Sequence, residues 1–233
     1  MTAPAPPAPS VPRGPRRLVD LSHEIEHGMV TYPGLPAPVI SDWLARADSR
    51  RRYAPGTEFQ IGKIELLANT GTYVDAPFHR YPDGHDIAGY RLDAVADLDG
   101  VVVRAGARGR ALGAELFREI EVRGRAVLVH TGWDVHWRTE RYGTGHPYLT
   151  AEAAQALVQG GAALVGIDSL NVDDDRDGTR PAHTLLLGAG IALVEHLTNL
   201  GALPAGGFRF FAVPAPVKGM GSFPVRAFAL VTS

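Results

Sequence analysis

The chain has 233 residues, 45% of them hydrophobic, with 23 Lys and Arg against 25 Asp and Glu and a formal net charge of -2. That is enough apolar material for one sizeable core, and the balance leaves no basic excess to hold nucleic acid or an anionic membrane surface. Cysteine is absent, which excludes disulfides, a thiolate nucleophile and Cys-rich zinc sites and is compatible with a reducing cytosol.

No stretch approaches the roughly 20 uninterrupted apolar residues of a membrane helix. The opening MTAPAPPAPSVPRGPR lacks the apolar segment of a secretory signal, so a cytoplasmic protein is expected. Repeated Pro removes N–H donors and opposes helix, so residues 1–16 are expected to form a disordered or polyproline-like tail. Residues 17–233 contain no linker-like composition and no internal repeat, and are read as one domain.

In chain order, Leu18 to Leu21 suits a short first strand, followed by a Pro- and Gly-rich loop through Tyr32-Pro33-Gly34. Phe59 to Leu67 alternates in part and is expected to be a strand that runs into a loop over 69–77. Val101 to Val103 suits a buried strand, and Leu112, Leu116 and Ile120 have helical spacing. Ala126 to His130 suits a strand ending at Thr131-Gly132-Trp133. Thr150 suits the N-cap of a helix through Val158, with Gly160-Gly161 as its stop. Ala162 to Ile167 is an expected strand, 191–200 an expected helix, and 208–213 and 226–231 the last expected strands. The fold class is α/β, with strands outnumbering long helices.

The segment richest in chemistry is Asn69-Thr70-Gly71-Thr72-Tyr73-Val74-Asp75-Ala76-Pro77-Phe78-His79. Gly71 and Pro77 bend the backbone and present Asp75 and His79 from a loop at a strand end. An Asp and a His four apart are in themselves equally compatible with a turn-capping Asp and a surface His. The acidic run Asp173 to Asp175 with Asp177 lacks EF-hand spacing and reads as a solvated loop. Ser222 has no G-x-S-x-G elbow. His85, His136, His146 and His196 read as surface or supporting histidines.

The segment resembles the signature of the cyclase family, which includes kynurenine formamidase, isatin hydrolase and trans-dienelactone hydrolase. The family pattern is His-x-Gly-Thr-His-x-Asp-x-Pro-x-His. Gly71, Thr72, Asp75, Pro77 and His79 match it, while Asn69 and Tyr73 stand where the family has its first two histidines. Further similar segments follow in the family's order: Asp20 to His23, Tyr32 to Gly34, Thr131 to Trp133, Gly166 to Ser169, His183 to Leu186 with Glu195, and Pro224 to Ala227. The resemblance implies a swivelling β/β/α domain, a small-molecule substrate and a homodimer. It also places His23 and Trp133 in the pocket wall with Asn69, where the Trp would stack on a flat substrate.

In di-metal members the resemblance implies two adjoining ligand sets. The first would here be Asn69, Tyr73 and Asp75; the second would be Asp75, His79, His183 and Glu195. A neutral imidazole is a good zinc or manganese ligand, whereas Asn offers only a carbonyl oxygen and a Tyr phenol must first lose a proton with a pKa near ~10. The first set is therefore expected to be empty or weak. Two arrangements stay open: one Zn²⁺ or Mn²⁺ in the second set, or a metal-free pocket in which Tyr73, His79, Asp75 and Glu195 act as acids and bases. The corresponding functions are hydrolysis of a small amide or lactone, and a metal-independent cyclisation, dehydration or isomerisation in natural-product biosynthesis. A non-catalytic small-molecule-binding protein is a third reading. Loss of both signature histidines argues against kynurenine formamidase activity itself.

Overall fold

The computed structural model describes residues 16–232. The Pro-rich segment lies almost wholly outside them, and Arg16, assigned above to the tail, is the first residue of a strand. Thirteen strands are present among the described residues: β1 (Arg16–Asp20), β2 (Val39–Leu44), β3 (Ile61–Glu65), β4 (Tyr73–Asp75), β5 (Leu98–Arg104), β6 (Ala111–Leu112), β7 (Ala126–His130), β8 (Tyr148–Leu149), β9 (Leu164–Ile167), β10 (Ala192–Glu195), β11 (Gly206–Phe211), β12 (Ser222–Pro224) and β13 (Phe228–Thr232). Three α-helices accompany them: α1 (Arg46–Ser49), α2 (Ala151–Gly160) and α3 (Pro181–Gly188). No helix among the described residues is long and apolar enough to cross a membrane.

Nine strands form one sheet in the order β1-β13-β11-β5-β7-β9-β10-β4-β12. The centre, β5 to β7 to β9 to β10, is parallel. Its strands are near-continuous apolar runs because both faces are covered; β7, β9 and β10 are buried along almost their whole length. One face carries Val127, Val129, Val165, Ile167 and Leu193 beneath α2 and α3. The other carries Leu128, Leu164 and Val194 against Phe208 and Phe210. Antiparallel strands flank the centre on both sides, while β2 and β3 pair only with each other.

Helix α2 begins as its sequence suggests, with the Thr150 hydroxyl accepting from the Ala153 amide, and it ends at Gly161 in the left-handed region (φ 75°). Three expectations need correction. The 69–77 segment contains a strand, β4, whose Val74 enters the core. The 191–200 segment is not a helix but contains β10, whose apolar run is buried between β9 and β4. The 111–120 segment forms the short β6 and a 3₁₀ turn over Ala114–Phe117, since Gly113 extends the backbone between them. In the last two cases burial and sheet pairing override helical spacing, which cannot be told from a short buried strand by periodicity alone; in the first, pairing with β10 and β12 draws a segment expected to be a loop into the sheet.

Candidate active site with a cation-binding floor

The site is assembled by strand register. Successive strand residues alternate faces, so Val74 enters the core while Tyr73 and Asp75 share the opposite face. Glu195, the last residue of β10, pairs directly with Tyr73, and Ser222 at the start of β12 pairs with Asp75. The floor therefore lies at the C-terminal end of a parallel strand, where open α/β sheets place their ligands. The turn after β4 brings His79 to the edge of this floor, and α3 brings His183 over it. Close approach at the edge requires Gly221, where a Cβ would stand 2.6 Å from the His79 Cα. Tyr73, His79, His183 and Glu195 border a cavity of about 380 Å³, lined also by Tyr32, Leu35, Asn69, Arg80, Asn171 and Arg180, with Asp75 and Ser222 buried behind it.

Asp173, read above as part of a solvated acidic loop, is fully buried. Its Oδ1 accepts from the Ala182 amide at 2.6 Å and its Oδ2 from the His183 amide at 3.1 Å, so it closes the start of α3, where Arg180 supplies no side-chain cap. The same Oδ2 lies 2.7 Å from His183 Nδ1. A carboxylate accepts only, so Nδ1 carries a proton and Nε2 faces the floor. His183 Nε2 stands 3.7 Å from Asp75 Oδ2 and 3.8 Å from Glu195 Oε1. Burial opposes charge on this imidazole, but Glu195, Asp173 and Asp75 prevail and hold its pKa up at about 10.

Ser222 organises the other histidine. Its hydroxyl donates to Asp75 Oδ1, and the same oxygen lies 3.0 Å from His79 Nδ1 and 3.2 Å from Asn69 Nδ2. One hydroxyl has one proton, and the carboxylate takes it. His79 must then donate from Nδ1, which leaves its Nε2 lone pair free. Asp75 Oδ2 is buried without a hydrogen-bond partner. Asp75, His79 and His183 together place one donor atom each within 4.8 Å of one another. A carboxylate oxygen and two imidazole nitrogens suit Zn²⁺ or Mn²⁺ once the ion displaces the proton that the surrounding carboxylates hold on His183, and the unpartnered oxygen is the kind of buried group that a cation satisfies.

Glu195 is arranged differently. Its Oε1 accepts from the Val172 amide at 2.6 Å, and its Oε2 accepts from the Tyr73 hydroxyl, with the Tyr32 hydroxyl 3.2 Å away. Both oxygens are thus occupied by protein donors. Burial, followed by the Glu195 charge, pushes the Tyr73 and Tyr32 phenols well above their usual range, so they remain neutral donors. Burial also raises the Glu195 carboxyl, against the favourable charge of His183.

Of the residues singled out in the sequence, Asn69, Tyr73, Asp75, His79, His183 and Glu195 converge on this site. His23 and Trp133 are not among the residues lining the cavity. His23 stacks on Trp137 at 4.0 Å, and Trp133 donates from Nε1 to the Tyr142 carbonyl. His196 and His146 are fully buried rather than superficial. His196 sits behind the Tyr pair, with its ring 5.2 Å from Tyr32 and 5.3 Å from Tyr73. Asp173, Ser222 and Tyr32 escaped the sequence reading. Their roles depend on pairings over 10, 143 and 163 positions, and no local spacing marks them.

A covered mixed sheet with inward-facing imidazoles and a buried carboxylate at its strand ends has the make-up of a candidate active site. The family follows from comparison: the Cyclase family model, described as "Putative cyclase", matches residues 19–174, and the chain belongs to that family. The kynurenine formamidase of Bacillus cereus is 27% identical over 217 residues, covering 90% of this chain and 95% of that protein. That of Salinibacter ruber is 29% identical over 211 residues with the same coverage. Isatin hydrolase A from Labrenzia aggregata, solved bound to benzyl benzoate, superposes with a TM-score of 0.77 at 26% identity, covering 94% of both chains. A structure described as a potential metal-dependent hydrolase with cyclase activity has a TM-score of 0.78 at 20% identity and covers 94% of this chain and all of that one, a likeness of fold. The expected swivelling β/β/α architecture is therefore present, and these relatives, which are hydrolytic enzymes, support reading the chain as an enzyme.

Proposed function

We propose that the chain hydrolyses the C–N or C–O bond of a small amide, lactone or related carbonyl compound at a single-metal site. The supporting observation is the convergence of Asp75, His79 and His183 with an unpartnered Asp75 oxygen between them. These three residues would hold the ion, with Asp173 and Ser222 fixing the two rings. Once bound, Zn²⁺ or Mn²⁺ would polarise a carbonyl and make water more acidic. In hydrolysis, the water oxygen bonds to the carbonyl carbon, the C–N or C–O bond breaks, and the leaving atom takes up the proton that water loses. Glu195, beside the floor and raised in pKa by burial, is the group placed to carry that proton. Tyr73 holds it through the phenol hydrogen bond.

Metal analysis of the purified full chain beside Asp75→Ala tests this reading. About one Zn²⁺ or Mn²⁺ per chain is expected in the native protein and none in the variant. Turnover in an amide and lactone screen should fall further than the roughly 10–100-fold that loss of a supporting partner costs. No stoichiometric metal after incubation with either ion would overturn it.

A second reading draws on the Tyr73–Glu195 contact: a metal-independent acid/base pocket that cyclises, dehydrates or isomerises a biosynthetic intermediate, with Tyr73 as acid and His79 as base. Turnover that disappears on chelation and returns with Zn²⁺ or Mn²⁺ would rule this out.

A further inference from the structure

The cavity floor is acidic, but its mouth is not. Two guanidinium groups, Arg80 and Arg180, line the cavity. Among the described residues neither has a carboxylate within 4.0 Å, although eight other arginines are paired in that way. Lack of a partner is unremarkable on an open surface. Here it occurs at both arginines of one concave site.

Each group is held in place by contacts that leave N–H donors unused. Arg80 donates from Nε to the Thr184 hydroxyl at 3.2 Å and lies over the Tyr81 ring at 5.4 Å. Tyr81 is itself anchored by its hydroxyl to the Thr184 carbonyl at 2.8 Å. The terminal nitrogens of Arg80, with four of its five N–H groups, have no protein acceptor among the described residues. Arg180 reaches only the Asn171 side-chain oxygen and the Asp174 and Asp175 carbonyls, each at 3.4 Å, near the outer limit of a hydrogen bond. The nearby acids are engaged elsewhere: Asp174 pairs with Arg176 and Arg110, Asp177 accepts from Thr179, and Asp173 holds His183. Arg180 also occupies the left-handed region (φ 48°, ψ 59°) directly before Pro181. That conformation costs a non-glycine residue about 1–3 kcal/mol and persists where the surroundings impose it, as at ligand clamps.

We infer that Arg80 and Arg180 form an anion-reading clamp at the cavity mouth, so that the substrate carries a carboxylate on the part remote from its reacting carbonyl. This rests on the proposed hydrolysis only in naming the ligand a substrate. A guanidinium offers a planar fork of donors matched to a carboxylate, and a partly enclosed site weakens screening by solvent. A neutral amide of the same shape would leave both forks unsatisfied.

Calorimetric titration of the chelator-treated full chain with benzoate and with benzamide tests the clamp without requiring metal or turnover. Benzoate should bind at least about ten-fold more tightly, a difference of about 1.4 kcal/mol, and its advantage should shrink as NaCl is added. Arg180→Gln and Arg80→Gln should each reduce the preference and the double variant abolish it, with thermal unfolding checked for each. Arg180→Lys should retain part of it, and Arg108→Gln, whose side chain contacts only the Arg104 and Ala105 carbonyls, should retain all. Equal binding of the two probes, no benzoate binding, or a preference surviving the double variant would overturn the clamp. A clear preference in a chain that hydrolyses no amide or lactone would leave the clamp standing and remove the hydrolytic reading.

Discussion

The two halves of the cavity floor face the same problem, buried carboxylates in need of positive charge or donors, and solve it differently. Around Asp75, two histidines present Nε2 and one carboxylate oxygen is left without a partner. Around Glu195, the Tyr73 phenol and a backbone amide occupy the two oxygens, with the Tyr32 hydroxyl 3.2 Å away and also 2.8 Å from the Leu170 carbonyl. The first arrangement would be satisfied by a cation, whereas the second is satisfied by neutral donors already in place. One residue makes the difference: Tyr73 stands opposite Glu195 in the sheet register and delivers a proton where an imidazole would deliver a lone pair. A phenol at this position therefore sets both the charge demand and the hydrogen-bond polarity of half the floor.

The sharpest test of that contrast converts the closed half into the open one. Asn69→His with Tyr73→His removes the phenol from Glu195 and supplies two imidazoles beside Asp75. Metal content should rise from about one to about two ions per chain, and an unchanged stoichiometry would mean that more than these two positions closes the first set. A smaller effect follows from loosening the open half. Asp173→Asn weakens the acceptor that fixes the His183 tautomer, and metal affinity should fall by roughly 10–100-fold in competition with a chelator. Preserved affinity would show that α3 alone orients the ring. The smallest effect is on stability. Tyr73→Phe leaves the buried Glu195 carboxylate short of one donor, at a cost of about 1–3 kcal/mol. Each kcal/mol is worth about 2–4 °C of Tm in a chain of this size, so thermal unfolding should show a loss of several degrees; no loss would mean that Tyr32 takes over as donor.

Much of this floor could be read in the chain before folding, because imidazole, phenol and carboxylate differ in chemistry wherever they sit. Asn69 and Tyr73 at the signature positions led to the expectation of a weakened first set, and the structure shows Tyr73 as a donor to Glu195. Glu195 was expected beside His183 and lies 3.8 Å from its Nε2, yet the cluster of possible ligands contains Asp75, His79 and His183 without it. His23 and Trp133 were expected in the pocket wall through their segments' likeness to the family. The His23 amide bonds to the Thr72 hydroxyl beside the site, but His23 stacks on Trp137 and Trp133 bonds to the Tyr142 carbonyl, and neither side chain lines the cavity.

The sequence by itself determined the inventory: a cysteine-free, near-neutral α/β chain with Asp75, His79, His183 and Glu195 as candidate ligands and with Asn69 and Tyr73 beside them. It also marked the elements whose signals are local, such as the Thr150 cap and the Gly161 stop of α2. Only the tertiary structure decided which nitrogen of each histidine faces the floor, since that depends on Asp173 and Ser222. It also decided that 191–200 contains a strand, because pairing with β9 and β4 outweighs helical spacing. And it brought Arg80 and Arg180 to one cavity mouth. Composition and spacing act along the chain, whereas proton placement, burial and the meeting of distant charges depend on which strands become neighbours in the sheet.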